Sequence, residues 1–157
     1  VLIAVVSDTH QHRGTLDEII KCTEKAEVLI HLGDNVEDAL YLKRNFKGEV
    51  YYVKGNCDPY NSAPAESIIE LQGIKIFAAH GDRYGVKMGT IMLKMQALEA
   101  GAQVALYGHT HIASMEEEEG IWIINPGSAA LPRMGKKSIA FLDVQKDKKV
   151  IPYIYTL

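Results

Sequence analysis

The sequence predicts a layered α/β sandwich folded as a single domain over residues 1–157. Apolar β-branched runs alternate with helix-period segments from residue 1 to residue 53, the texture of a βαβαβ unit with right-handed crossovers and a largely parallel sheet. Beyond residue 64 short strands dominate, with one more helix among them. Length sets the domain count: 157 residues match the ~150 expected of one domain and can bury a core without disulfide staples.

Residues 1–6 read as a buried strand, too short for a signal-peptide core and without its basic flank. Residues 16–26 read as a helix, with Thr15 as N-cap and Glu18 three residues on. A strand at 28–32, an amphipathic helix at 36–46 and a strand at 50–53 complete the opening unit. A Pro-containing loop at 58–64 leads to a hairpin of strands 67–71 and 74–79 around Gln72-Gly73. A third helix is expected over 86–99, closed by Gly101 as its C′ residue, and then a strand at 104–107. Short strands at 114–117, 121–124, 138–144 and 150–155 finish the chain. The acidic run 116–119 reads as a solvated hairpin edge and turn.

Composition excludes several classes. The 47% hydrophobic and 24% charged fractions are those of an ordinary globule, not of a disordered or collagen-like chain. No apolar run approaches the ~18 residues of a membrane span. Two cysteines, Cys22 and Cys57, in a chain that buries its own core point to a reducing, cytoplasmic setting. A net charge of −3 argues against extended nucleic-acid binding.

Chemistry-bearing residues collect just after strands. Asp8 and His10 follow the first, Asp34 the second and Asn56 the third; His80 follows 74–79, and His109 and His111 follow 104–107. The C-terminal ends of parallel strands face one crevice, so these seven side chains are expected to converge. Four imidazoles, two carboxylates and one amide exceed the needs of one tetrahedral ion and suit two divalent ions. With no thiolate among them, a structural Cys-type zinc site is not expected. Each residue also has an ordinary reading. Asp34 precedes a helix and suits a cap, Asn56 follows glycine and suits a turn, and a lone histidine is more often a core or surface group. His12 and His31 are left in that last class, and Cys57 is read as a small packing residue. Five motifs in order, at the ends of five separate strands, favour the metal reading.

These motifs (Ser7-Asp8-Thr9-His10, Gly33-Asp34, Gly55-Asn56-Cys57-Asp58, Gly108-His109-Thr110-His111 and Asn125-Pro126-Gly127-Ser128) resemble the calcineurin-like metallophosphoesterases. The likeness is to their small single-domain phosphodiesterase branch, related to the retromer's metallophosphoesterase-like subunit. It implies a four-layer α/β/β/α sandwich with a dinuclear centre. It further implies that Asp8, His10 and His111 hold one ion, that Asn56, His80 and His109 hold the other, and that Asp34 bridges them. A hydroxide between the ions would attack the phosphorus of a small phosphodiester in line. The mixed oxygen and nitrogen shell suits manganese first, with nickel, iron or zinc as alternatives, and calcium poorly. Arg133 is a candidate phosphate contact alongside Asn56.

Two positions depart from the family pattern. Cys57 stands where many family phosphatases carry a histidine, and Asp82 stands where the branch carries the second histidine of His-Gly-His. The alternative function is a catalytically weak or inactive metal-binding scaffold for protein partners, like the retromer subunit. That subunit alters the positions matching Asp34 and Asn56, and both are intact here.

Overall fold

β1 (Leu2–Val6) is buried on both faces and sets the layering: Ile3 and Val5 face one apolar layer, Ala4 and Val6 the opposite one. The computed structural model describes residues 1–157. After β1 the chain runs through α1 (Arg13–Cys22), β2 (Val28–His31), α2 (Val36–Asn45), β3 (Glu49–Tyr52), β4 (Glu66–Leu71) and β5 (Ile74–Ala79). A 3₁₀ turn (Asp82–Tyr84), α3 (Ile91–Glu99), β6 (Val104–Leu106), β7 (Ser114–Glu118), β8 (Ile121–Asn125), β9 (Ser138–Val144) and β10 (Val150–Thr156) follow.

The strands form two five-stranded sheets, ordered β10-β9-β1-β2-β3 and β4-β5-β6-β8-β7. β1, β2 and β3 run parallel along one side of the first sheet and β5, β6 and β8 through the centre of the second, and the remaining pairings are antiparallel. Ile3, Val5 and Ile30 of the first sheet meet Ile76, Leu106 and Ile124 of the second between the sheets. Ala4, Leu29 and Phe141 pack under Leu16 and Ile19 of α1 and Leu42 of α2. Phe77, Ala105 and Ile123 pack under Leu93 and Ala97 of α3. The result is a four-layer α/β/β/α sandwich. No helix is long and apolar enough to cross a membrane.

Two helix starts differ from expectation. α1 begins at Arg13, not at residue 16, because His12 is its N-cap: Nδ1 accepts the Thr15 N–H at 3.2 Å. It ends near Thr23, whose hydroxyl donates to Ile19 O at 2.7 Å. α3 begins at Ile91, not at residue 86, because Gly85 and Gly89 take φ of 59° and 140°, which no α-helical residue adopts. Its end is as expected, with Gly101 at φ 73° after the C-cap Ala100. The acidic run is the exposed edge β7 and its turn.

Candidate metal centre

The parallel strands of both sheets deliver their C-terminal ends to one crevice, and all seven candidate residues meet there. Asp8 is at the centre. Its Oδ2 accepts the Ser7 hydroxyl at 2.6 Å and the His109 N–H at 3.1 Å. Its Oδ1 is buried with no hydrogen-bond partner, and lies 3.2 Å from His111 Nε2 and 3.9 Å from both His10 Nε2 and His80 Nε2. A buried, unpaired carboxylate oxygen is costly unless a cation satisfies it.

The surrounding atoms have the same character. His80 Nδ1 donates to Leu32 O and His111 Nδ1 to Leu131 O, both at 2.7 Å. Each Nε2 lone pair is thereby turned into the crevice, the second-sphere device that orients ligating histidines. His80 Nε2 faces Asn56 Oδ1 at 3.0 Å and Asp34 Oδ2 at 3.4 Å, and His10 Nε2 faces His111 Nε2 at 3.3 Å. The His109 ring stands edge-on to His80, centroids 5.1 Å apart. Acceptor thus faces acceptor throughout, an arrangement that protons or metal ions resolve. Two groups of donors lie close enough to hold an ion each: Asp8, His10 and His111, and Asp8, Asp34 and His80. Asp8 belongs to both.

Charge in the crevice follows from these neighbours. Burial works to raise the carboxylates, yet His111 and His80 beside Asp8, and His80 beside Asp34, hold both below the usual range. Burial likewise works to lower His80, and the adjacent Asp34 and Asp8 outweigh it and raise it. The Asp8 hydrogen bond raises His111, whereas burial lowers His109. The crevice is a strong attractor of positive charge.

The backbone is shaped for these positions. Asp8, His10, Asp34, His109 and His111 have φ of 55°, 46°, 48°, 67° and 59°, a region that non-glycine residues rarely occupy and that clusters at functional sites. Two glycines make room for the carboxylates. A Cβ on Gly55 would overlap Asp34 Oδ1, and one on Gly108 would overlap Ser7 Oγ and crowd Asp8 Oδ2.

The simpler readings separate cleanly. Asp34 is no helix cap: Asn35 occupies the N-cap position of α2, and the first free N–H, of Val36, donates to Asp58 Oδ1 at 2.7 Å. His31 is a buried core group bonded to Thr9 and Gly33, and burial pushes its pKa down to about 4. Arg133 is exposed, with its N–H on His111 O at 3.1 Å. Asp82 is exposed at the start of the 3₁₀ turn, in a groove of about 220 Å³ shared with Asn56, Lys54 and Arg83.

Sequence reasoning missed the groups that hold the ligands. Asn125 donates to Gly108 O and Thr110 Oγ1, and Ser128 donates to Asp8 O, so the Asn125–Ser128 segment clamps two ligand loops. Their only sequence signal was the Asn-Pro-Gly-Ser motif itself. Residues 1–147 match the calcineurin-like phosphoesterase superfamily domain.

The chain belongs to this superfamily.

Among its relatives, a probable metallophosphoesterase of Methanocaldococcus jannaschii is 32% identical over 161 residues, covering 97% of this chain and 81% of the relative. A phosphodiesterase of the same organism is 28% identical over 163 residues, covering 92% and 93%. Vacuolar protein sorting 29 of Cryptosporidium parvum superposes with a TM-score of 0.81 at 23% identity, covering 99% of this chain and 91% of that one, a likeness of fold. For a calcineurin-like phosphoesterase, the donor set described above suits divalent metal: oxygen and imidazole ligands around an unpaired carboxylate oxygen.

Proposed function

We propose that this calcineurin-like phosphoesterase is a divalent-metal-dependent phosphodiesterase of small phosphodiesters. The observation that carries it is Asp8 Oδ1, a buried unpaired oxygen ringed by three Nε2 atoms. The 28% identical phosphodiesterase supports the reaction class. Asp8, His10 and His111 would hold one ion, Asn56, His80 and His109 the other, and Asp34 both, with manganese the first candidate and nickel, iron or zinc the alternatives.

Bound divalent ions supply an acidified water and neutralise charge on phosphoryl oxygens. The chain's own residues prepare the rest. Leu32 O and Leu131 O keep His80 and His111 in the tautomer that offers Nε2. Ser7 and the His109 N–H keep Asp8 ionised and its Oδ1 free. Asn56 offers its amide at the mouth, and Arg133 on the His111 loop would meet a phosphoryl oxygen. Small substrates fit a surface with a net charge of −3 and no basic tract. The free thiols Cys22 and Cys57 suit a reducing, cytoplasmic compartment.

The test is hydrolysis of an aryl phosphodiester by the metal-loaded protein, its Asp34→Asn and its His80→Ala variants. Activity should require added metal and collapse in both variants. A wild type that binds metal and cleaves nothing in a panel of mono- and diesters is the scaffold for protein partners instead.

A further inference from the structure

His10 is oriented differently from its neighbours in the crevice. His80 and His111 are fixed through their rings, Nδ1 donating to a main-chain oxygen at 2.7 Å in each. The His10 ring makes no such bond: its Nε2 faces His111 Nε2 at 3.3 Å, and its Nδ1 has no partner in the fold. Its own N–H reaches Asp34 O at 3.4 Å, a weak contact. Yet His10 and Gln11 are consecutive left-handed residues, φ 46° and 62°, and neither is glycine. Such a pair persists only where its surroundings over-determine it.

One carboxylate oxygen brackets His10. Asp38 Oδ2, in the first turn of α2, accepts the Thr9 hydroxyl at 2.5 Å and the Gln11 N–H at 2.8 Å, from the residues on either side of His10. An acid at this helix position ordinarily serves its own helix, reaching back to the N-cap N–H. Asp38 reaches across to the loop after β1 instead.

The direction of each bond is fixed as well. Gly33 N–H donates to His31 Nδ1 at 3.1 Å, which leaves the ring proton on Nε2, facing Thr9 Oγ1 at 3.0 Å. The Thr9 hydroxyl accepts that proton's bond and gives its own to Asp38. Thr9 and His31 are fully buried and Asp38 is 5% exposed, so water is a poor substitute for any of these partners. Asp8, the other neighbour of Thr9, has separate ties: Ser7 and the His109 N–H hold its carboxylate, and Ser128 its carbonyl. The grip of Asp38 therefore falls chiefly on His10.

We infer that Asp38 is the positioning residue of His10: through Thr9 and Gln11 it holds that imidazole toward the ion His10 would share with Asp8 and His111, and it touches no ion itself. The role rests on the metal reading of the crevice.

Calorimetric titration of the metal-free full chain with manganese tests it. His10→Ala identifies which of the two binding steps belongs to His10. Asp38→Ala should weaken that same step by ~10- to 100-fold, the range for groups that support metal ligands, and leave the other step near its wild-type value. Thr9→Val, nearly isosteric but without the hydroxyl, should weaken it by about tenfold, and Thr9→Ser should restore it. The Thr9 pair carries the test even where Asp38→Ala folds poorly. Added to His10→Ala, Asp38→Ala should cost the remaining binding nothing further, because its effect runs through the imidazole. In chelator, the Gln11 amide of folded Asp38→Ala should exchange faster than in the wild type while β1 stays protected, a readout that needs no metal. Equal weakening of both steps, additive losses in the double variant, or a Thr9→Ser as weak as Thr9→Val overturns the positioning role alone. A wild type that binds no manganese overturns the metal reading, and this role with it.

Discussion

Asp58 holds the backbone of Asp34 in place: its Oδ2 accepts the Asp34 N–H at 2.9 Å and the Gly55 N–H at 2.8 Å, while Oδ1 accepts the Val36 N–H at 2.7 Å. One carboxylate therefore caps α2, pins the β2 and β3 loops together and leaves Asp34's own side chain to the crevice. Both of its oxygens are engaged, so it is a positioning residue. Asp58→Ala should cost about 2–4 kcal/mol in urea unfolding, because a cap and two further charge-assisted bonds are lost together. Metal affinity should fall with it. Asp58→Asn, which keeps one acceptor oxygen, should recover part of both. A variant with unchanged metal affinity would show that Asp34 is held by other means.

Metal titration probes the crevice directly. Seven donors arranged as proposed take two ions per chain at saturation, read by elemental analysis after manganese loading and desalting. Asp34→Ala should weaken both ions, and Asp8→Ala at least the one shared with His10 and His111. Affinity should fall as pH drops through imidazole titration, since four histidines must be neutral to bind. Saturation at a single ion would break this scheme.

His31 gives the fold a pH dependence with a definite sign. Its folded pKa is lowered from an ordinary 6.5 to about 4, chiefly by burial. Between those values the unfolded chain binds the extra proton, so stability falls as pH drops from about 6.5 to about 4 and then levels. The magnitude is on the order of 3 kcal/mol. In metal-free protein His80 and His111, whose pKa values are raised, act oppositely: they stabilise below their unfolded pKa and lose that contribution as pH rises through the folded one. The comparison is therefore wild type against His31→Gln in chelator, by urea unfolding at pH 7 and pH 4.5. The variant should lose less stability on acidification. Equal losses would mean that His31 does not carry the effect.

What was legible in the sequence is what local pattern encodes. Continuous apolar, β-branched runs placed the strands, and parallel topology then brought Asp8, Asp34, Asn56, His80 and His109 to one end of the fold. The remainder depends on atoms far apart in sequence. Ser128 reaches Asp8 O across 120 residues, and Asn125 reaches Gly108 O across 17. No periodicity records such contacts. The start of α3 failed for another reason: residues 86–90 carry helical apolar spacing, but Gly85 and Gly89 take backbone angles that only glycine tolerates readily. His12 as a cap was hidden because imidazole is an uncommon capping group beside Ser, Thr, Asp and Asn.

Cys57 shapes the reaction expected of this site. In-line displacement leaves negative charge on the departing oxygen, which a positioned acid can quench. The family's usual donor position carries a thiol here. Its N–H donates to Asp34 Oδ1 at 3.0 Å, and desolvation together with the Asp34 carboxylate pushes its pKa up to about 11. At neutral pH such a thiol is a far weaker acid than imidazolium, and Asp58 has no free oxygen with which to substitute for it. General-acid assistance is typically worth ~10² to 10⁴ in rate and matters most for alkoxide leaving groups. Aryl phosphodiesters should therefore react fast and alkyl ones slowly, with a steep dependence of kcat/KM on leaving-group pKa. Diesters should outrun monoesters, whose dianion gains least where no cationic histidine stands at this position. Cys57→His supplies the missing donor in place, so its leaving-group series should flatten, with the largest gain on the poorest leaving groups. A flat series in the wild type, or an equally steep one in the variant, would show that protonation of the leaving group does not limit the proposed reaction.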